Sequence, residues 1–167
     1  IIDGSTIQRG DVLIGFPSSG LHTNGYSLAR HALFPTYDVH DSPAELQGVS
    51  IGNALLAVHK SYLGVIDSLQ KCVPVHGLVH VTGGGIPGNT KRVIPDGLSF
   101  QVDYGAWKRP GIFNLIQQAG AVPEDDMQKA FNLGIGLIAI VPEAAAAHVL
   151  KNLSSENPVV IGSVTDQ

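Results

Sequence analysis

Short apolar runs alternate with polar, glycine-rich stretches along the chain, and the alternation predicts a succession of brief strands and helices. Compact apolar runs bounded by turn formers read as buried strands: Val12–Phe16, Gly77–Val81, Leu98–Val102, Ile135–Val141 and Val159–Val164. Apolar positions spaced for one helix face predict helices over Gly25–Leu33, Ile51–Leu69, Asn89–Ile94, Pro110–Ala119, Glu124–Ala130 and Glu143–Leu153. Pro142 stands at the start of the last one, where its missing N–H costs nothing. Ala144 to Ala147 then add strong helix propensity. Gly120 is placed as a helix stop. Phe34 to Gln47, with two prolines and two aspartates, predicts a mobile surface loop. There is no internal repeat. The pattern implies a single α/β or α+β layer structure.

Composition narrows the function classes. A chain of 167 residues that is 44% hydrophobic and 14% charged can build one sizeable core. Low charge with a mean hydropathy of +0.18 points to some surface covered by a partner. A net charge of −4 argues against nucleic acid as the main ligand. No apolar run reaches the roughly 18 residues of a membrane helix. A lone cysteine, Cys72, excludes an intrachain disulfide and suits a reducing, cytoplasmic setting. The chain opens Ile-Ile-Asp-Gly without Met, so residue 1 reads as a cut inside a longer protein.

Two loops carry the candidate chemistry. The first, Ser18-Ser19-Gly20-Leu21-His22-Thr23-Asn24-Gly25, follows an apolar strand and opens a helix. Its hydroxyls, amide groups and His22 suit a polar or anionic substrate, an arrangement that strand–loop–helix units present well. Asn24 alone could be explained as an N-cap, but one cap does not need so many polar groups. The second loop, Thr82-Gly83-Gly84-Gly85, leads to Asn89 and Arg92. Its glycines allow close backbone approach, and free N–H groups at a following helix start would attract phosphate. The spacing is neither a Walker A loop nor a dinucleotide fingerprint.

Weaker signals favour plain readings. His76 and His80 share one side of a predicted strand, half of a metal site, but no cluster of ligands accompanies them and no metal site is expected. His80, beside the glycines, reads instead as a ligand contact. Phe131-Asn132-Leu133-Gly134-Ile135-Gly136 reads as packing and turn chemistry. Tyr104 and Trp107 beside Lys108-Arg109-Pro110 read as an exposed turn before a helix. The nucleophile-elbow pattern of a Ser/His/Asp hydrolase is absent.

Four ordered matches then give a family. Ile-Ile-Asp-Gly-Ser at 1–5, Ser-Ser-Gly-Leu-His-Thr-Asn-Gly-Tyr-Ser-Leu at 18–28, His-Val-Thr-Gly-Gly-Gly at 80–85 with Asn89 and Arg92, and Phe-Asn-x-Gly-x-Gly at 131–136 resemble the C-terminal domain of the aminoimidazole ribonucleotide (AIR) synthetases, also called phosphoribosylformylglycinamidine cyclo-ligases. The resemblance implies that residues 1–167 are one C-terminal domain, an α+β fold with a layered α/β/α arrangement and a mixed sheet. It implies an N-terminal half that binds ATP and Mg2+, a homodimer, and a small ribonucleotide substrate. The reaction it implies is ATP-dependent closure of the imidazole ring of formylglycinamidine ribonucleotide in purine synthesis, releasing ADP and phosphate. Carried onto this sequence, the site would comprise His22, with a proton-moving role, and Ser18, Ser19, Gly20, Asn24, His80, Thr82, Gly83, Gly84, Gly85, Asn89 and Arg92 as substrate contacts. The fragment alone is expected to fold without turnover.

The chain departs from the family pattern at Val58 and His59, where Pro and Thr are usual, while Lys60 and Tyr62 keep it. Two readings compete with the cyclo-ligase: another ATP-dependent member of the superfamily, and a non-catalytic binding module that keeps the loops.

Overall fold

The computed structural model describes residues 1–167. Five strands form one sheet: β1 (Val12–Pro17), β2 (Gly77–His80), β3 (Leu98–Val102), β4 (Ile135–Val141) and β5 (Val159–Asp166). Their order is β2-β4-β1-β5-β3, and every pairing is antiparallel. The mixed sheet implied by the family resemblance is therefore replaced by an antiparallel one, within the expected α+β class. Seven helices accompany it: α1 (Tyr26–Leu33), α2 (Ile51–Leu55), α3 (Leu63–Cys72), α4 (Gly85–Thr90), α5 (Gly111–Ala119), α6 (Glu124–Ala130) and α7 (Glu143–Asn152).

Sheet burial explains the apolar runs. All seven residues of β4, Ile-Gly-Leu-Ile-Ala-Ile-Val, are buried, so this strand needs apolar side chains on both faces. Alternation sends Ile138 and Ile140 to one face, with Leu13, Val79, Ile86 and Ile161. Leu137, Ala139 and Val141 go to the other, where Ile14 and Phe16 meet Val65 and Leu69 of α3 and Val149 of α7. A third cluster joins α1, α2, α5 and α6 through Leu33, Ile51, Phe113, Ile116, Met127 and Phe131.

All five strands stand where the apolar runs place them, but two helices differ. The single helix expected over Ile51–Leu69 is two, α2 and α3, with residues 56–62 outside both. Carbonyls that would accept helical N–H groups are taken by side chains instead. The Ser19 hydroxyl donates to Val58 O at 2.6 Å, and the His59 ring donates to Lys60 O at 2.8 Å. The helix expected over Asn89–Ile94 begins earlier, at Gly85. Gly84, at φ 99°, makes the turn into it, and Pro87 falls in the first turn, where no N–H is required. The expected mobile loop at Phe34–Gln47 is tied down: Gly52 N donates to Val39 O at 2.8 Å, Ile51 N to Asp41 O at 2.9 Å, and Leu46 is buried.

Candidate functional site

Topology brings the two loops together. β1 and β2 both run antiparallel to β4, so they point the same way on either side of it. Phe16 and His80 face Leu137 from opposite sides. The chain therefore leaves both strands at one end of the sheet, where residues 132–134 lead into β4. Ser18 N donates to Gly134 O and Val81 N to Gly136 O, each at 2.9 Å. Both loops are docked on the start of the most buried strand.

In the first loop most polar side chains are braces. The Ser18 hydroxyl lies 2.9 Å from Gly20 O and 3.1 Å from Asn132 Oδ1. Asn132, 1% exposed, donates from Nδ2 to Gly20 O at 2.9 Å and accepts from Gly134 N at 2.8 Å. Ser19 holds the 56–62 segment through Val58 O. Asn24 does not cap α1. Its Nδ2 donates to Ala130 O at 2.7 Å, and Gly25, at φ 82°, occupies the cap position with the Phe131 ring against it. The buried Asn24 Oδ1 has no protein partner.

The glycine loop is braced as well. Asn89, 5% exposed, donates from Nδ2 to Gly85 O at 2.7 Å and reaches Thr82 O and Gly83 O at 3.2 and 3.3 Å. Its Oδ1 accepts from the Thr82 hydroxyl at 3.0 Å and from Arg92 Nη1 at 3.2 Å. The Gly84 and Gly85 N–H groups donate to Lys129 O and Thr82 O, both at 3.0 Å. Those two amides, expected to face a phosphate, are thus taken within the protein. Gly83 is exposed, its N–H meets no backbone carbonyl, and the rest of the exposed Arg92 guanidinium is open.

His22 joins the loops. It is 3% exposed, and its Nδ1–H donates to Val81 O, the residue before Thr82, at 2.7 Å. This bond fixes the tautomer, so Nε2 carries a lone pair, and that buried nitrogen has no protein partner. Burial pushes the pKa down to about 4, with the bond to Val81 O opposing the shift and His59 and His80 adding to it. At neutral pH His22 is therefore an acceptor at Nε2. Its protonated form is populated at only about one part in a thousand, since each unit between pKa and pH is tenfold. An NMR titration of the intact protein is expected to show the His22 ring turning over near pH 4, far below an ordinary histidine. A midpoint near 6.5 would contradict this placement.

Gly136 makes room for this arrangement: a Cβ there would overlap the Tyr62 hydroxyl and crowd His22 Cε1. Tyr62 donates to Pro17 O at 3.2 Å, and burial pushes its pKa up to about 12. His59 and His80 complete the group. The His59 ring lies 4.0 Å from that of His22 between centroids, and His80 Nε2 is 3.3 Å from His59 Nε2.

The same sequence also matches a known family. The sequence matches, over residues 8–167, the family described as AIR synthase related protein, C-terminal domain. The chain belongs to the AIR synthase related proteins. It is 41% identical over 166 residues to the phosphoribosylformylglycinamidine cyclo-ligase of Anaeromyxobacter dehalogenans, covering 98% of this chain and 48% of the relative. It is 43% identical over 170 residues to that of Sorangium cellulosum, covering 98% and 49%. The chain spans about half the length of the curated relatives it matches. In fold it is similar to thiamine-monophosphate kinase from Stenotrophomonas maltophilia, with a TM-score of 0.62 at 14% identity over 99% of this chain and 51% of that one. T. maritima PurL, solved in complex with FGAR, gives a TM-score of 0.53 at 15% identity over 99% of this chain and 26% of that one.

In this AIR synthase related chain, then, His22, His80, Gly83 and Arg92 lie on or beside the two loops with polar groups not all used within the protein. Ser18, Ser19, Asn24, Thr82 and Asn89 hold the loops in shape. His76 takes no part, because its Nδ1 pairs with the buried Asp11 carboxylate at 2.7 Å. Asn132, Gly136, His59 and Tyr62 join this candidate site without having been singled out from the sequence. Asn132 and Gly136 lay in a stretch read as packing, and the other two in a stretch read as helix. Trp107, expected on an exposed turn, donates to Leu133 O at 2.9 Å and braces the entry to β4. Arg109 pairs with Glu124, whose carboxyl it holds down to about 2. A cleft of about 400 Å3 runs along Ser19 and Gly20, walled by Asn53, Ala57, Lys108 and Arg109.

The three imidazoles are the one grouping of three or more metal-binding side chains whose donor atoms converge. No carboxylate joins them, so they do not suit Mg2+, which demands oxygen ligands.

Proposed function

We propose that this chain is the C-terminal half of an ATP-dependent phosphoribosylformylglycinamidine cyclo-ligase that closes the imidazole ring of formylglycinamidine ribonucleotide in purine synthesis. Identity above 40% to enzymes of that name, sustained across 98% of the chain, carries the reading. In the implied reaction the formyl oxygen takes the γ-phosphoryl group of ATP. An internal nitrogen attacks the activated carbon, and phosphate leaves as the ring closes.

This chain's part is positioning. The Gly83 N–H and the Arg92 guanidinium suit the dianionic ribose phosphate, since charge-assisted bonds to phosphate are the strong ones. His22 Nε2 suits an N–H of the ribonucleotide and would hold its chain in the bent, near-attack form that ring closure needs. Because His22 is neutral, hydrogen-bond acceptance fits it better than delivery of a proton. ATP and Mg2+ are assigned to the other half of the enzyme. In support, this chain offers Mg2+ no carboxylate cluster, and two amides of its glycine loop are already bonded internally. ATP use has a parallel in a structural neighbour, a thiamine-monophosphate kinase solved with AMPPCP. Leu56, Val58 and Leu63, all more than two-thirds exposed, flank the site on residues 56–63 and suit a face covered by that half or by a second copy in a cytoplasmic homodimer.

The test uses the full-length protein with formylglycinamidine ribonucleotide, ATP and Mg2+. ATP-dependent formation of aminoimidazole ribonucleotide is the expected result. No product from a folded, ATP-binding protein would move the assignment to a sister enzyme or a non-catalytic homologue.

A further inference from the structure

We propose that His22, His59 and His80 form a three-imidazole site for a divalent transition-metal ion of the Zn2+ class, with a fourth position open to solvent or an anion. One nitrogen of each ring can be chosen so that all three lie within 4.8 Å of one another. Two of the rings already hold the tautomer a ligand needs. His22 and His59 each donate Nδ1–H to a backbone carbonyl, Val81 O at 2.7 Å and Lys60 O at 2.8 Å. Each therefore presents an Nε2 lone pair, the tautomer that metal-ligating histidines are held in by such partners. His22 Nε2 is buried and bonded to nothing in the protein.

One pair already has the spacing of four-coordinate zinc. At Zn–N bonds of about 2.0–2.1 Å and tetrahedral angles, two ligating nitrogens lie roughly 3.3 Å apart. His59 Nε2 and His80 Nε2 are 3.3 Å apart. Without an ion this contact is a hydrogen bond in which His80 Nε2–H donates, since the His59 proton sits on Nδ1. Metal binding moves the His80 proton to Nδ1 or releases it. The rings of His22 and His59 stack at 4.0 Å, closer than their separations of 5.2 and 5.3 Å from His80. Closing on an ion thus asks for a rotation of His59, which is exposed and exchanges its present contacts with Lys60 O and His80 for the ion.

Neutral nitrogen ligands with no carboxylate select Zn2+, Cu2+ or Ni2+ over Mg2+ and leave the bound ion's full positive charge. That charge favours an anion in the fourth position, beside the Thr82–Gly85 loop. An ion here takes the His22 lone pair, so metal occupancy and the acceptor role of His22 exclude each other.

The inference stands apart from the cyclo-ligase reading, because its test needs neither substrate nor turnover. The intact protein, stripped with a chelator, is titrated with Zn2+ by calorimetry and with Co2+ by visible absorption. Zn2+ at one site per chain with about micromolar affinity or better, and the strong visible bands of four-coordinate Co2+, are expected. His59→Ala and His80→Gln, both at exposed positions, are each expected to weaken that binding about a hundredfold or more and to abolish the bands. No binding by the intact protein, or binding unchanged in both variants, would overturn the site.

Discussion

Replacing His22 by Asn in the full-length protein is expected to lower the proposed cyclo-ligase turnover by about a hundredfold, the order of effect seen when one fixed hydrogen-bonding group is lost from a reacting centre. Asn suits the test because its side-chain amide reaches about as far as Nδ1. It can keep the bond to Val81 O, which ties the first loop to the end of β2, while Nε2 is removed. The fold is thereby spared and the acceptor lost. Steady-state kinetics with the ribonucleotide should show the loss in kcat more than in KM if His22 acts on the bent, reacting form. An unchanged rate would remove His22 from the reaction and leave it as a strut between two loops.

The second large effect is expected at Gly136. Gly136→Ala places a methyl group against the Tyr62 hydroxyl and the His22 ring in a strand with no exposed residue. Overpacking of this kind costs about 1–3 kcal/mol, and here the displaced groups are also the walls of the site. A lower denaturation midpoint and a loss of activity are both expected. Adding Tyr62→Phe deletes the hydroxyl that the new methyl overlaps, so the double variant should recover part of the lost stability. A non-additive cycle of this form marks direct contact. Additive losses would mean that the strain is relieved elsewhere.

Much of this architecture could be read from the residues. β4 announced itself because a strand covered on both faces must be apolar throughout, and Ile135–Val141 is so apart from one glycine. The two polar loops were visible because each breaks abruptly from such a run. The division of labour within them was not, since it depends on which partners the fold brings up, for Ser18 and Asn24 more than a hundred residues away. Asn24 looks like a helix cap until Ala130 O is seen beside it, and Ser18 looks like a ligand group until Asn132 is. The split between α2 and α3 was hidden for the same reason. Helical spacing runs through residues 51–69, and the Ser19 hydroxyl on Val58 O, the His59 ring on Lys60 O and the burial of Tyr62 override it. With the segment read as helix, His59 could not be placed beside His22.

The self-bonded state of the Thr82–Gly85 loop has a consequence for how binding divides between enthalpy and entropy. Three consecutive glycines would ordinarily make a loop whose ordering costs about 1–2 kcal/mol per residue when a ligand arrives. Here Asn89 holds three of the loop's carbonyls, and the loop's own amides close on Lys129 O and Thr82 O. The ordering is therefore completed when the chain folds. A ligand meets a preset cradle, and its affinity carries no penalty for freezing the most flexible residues in the chain.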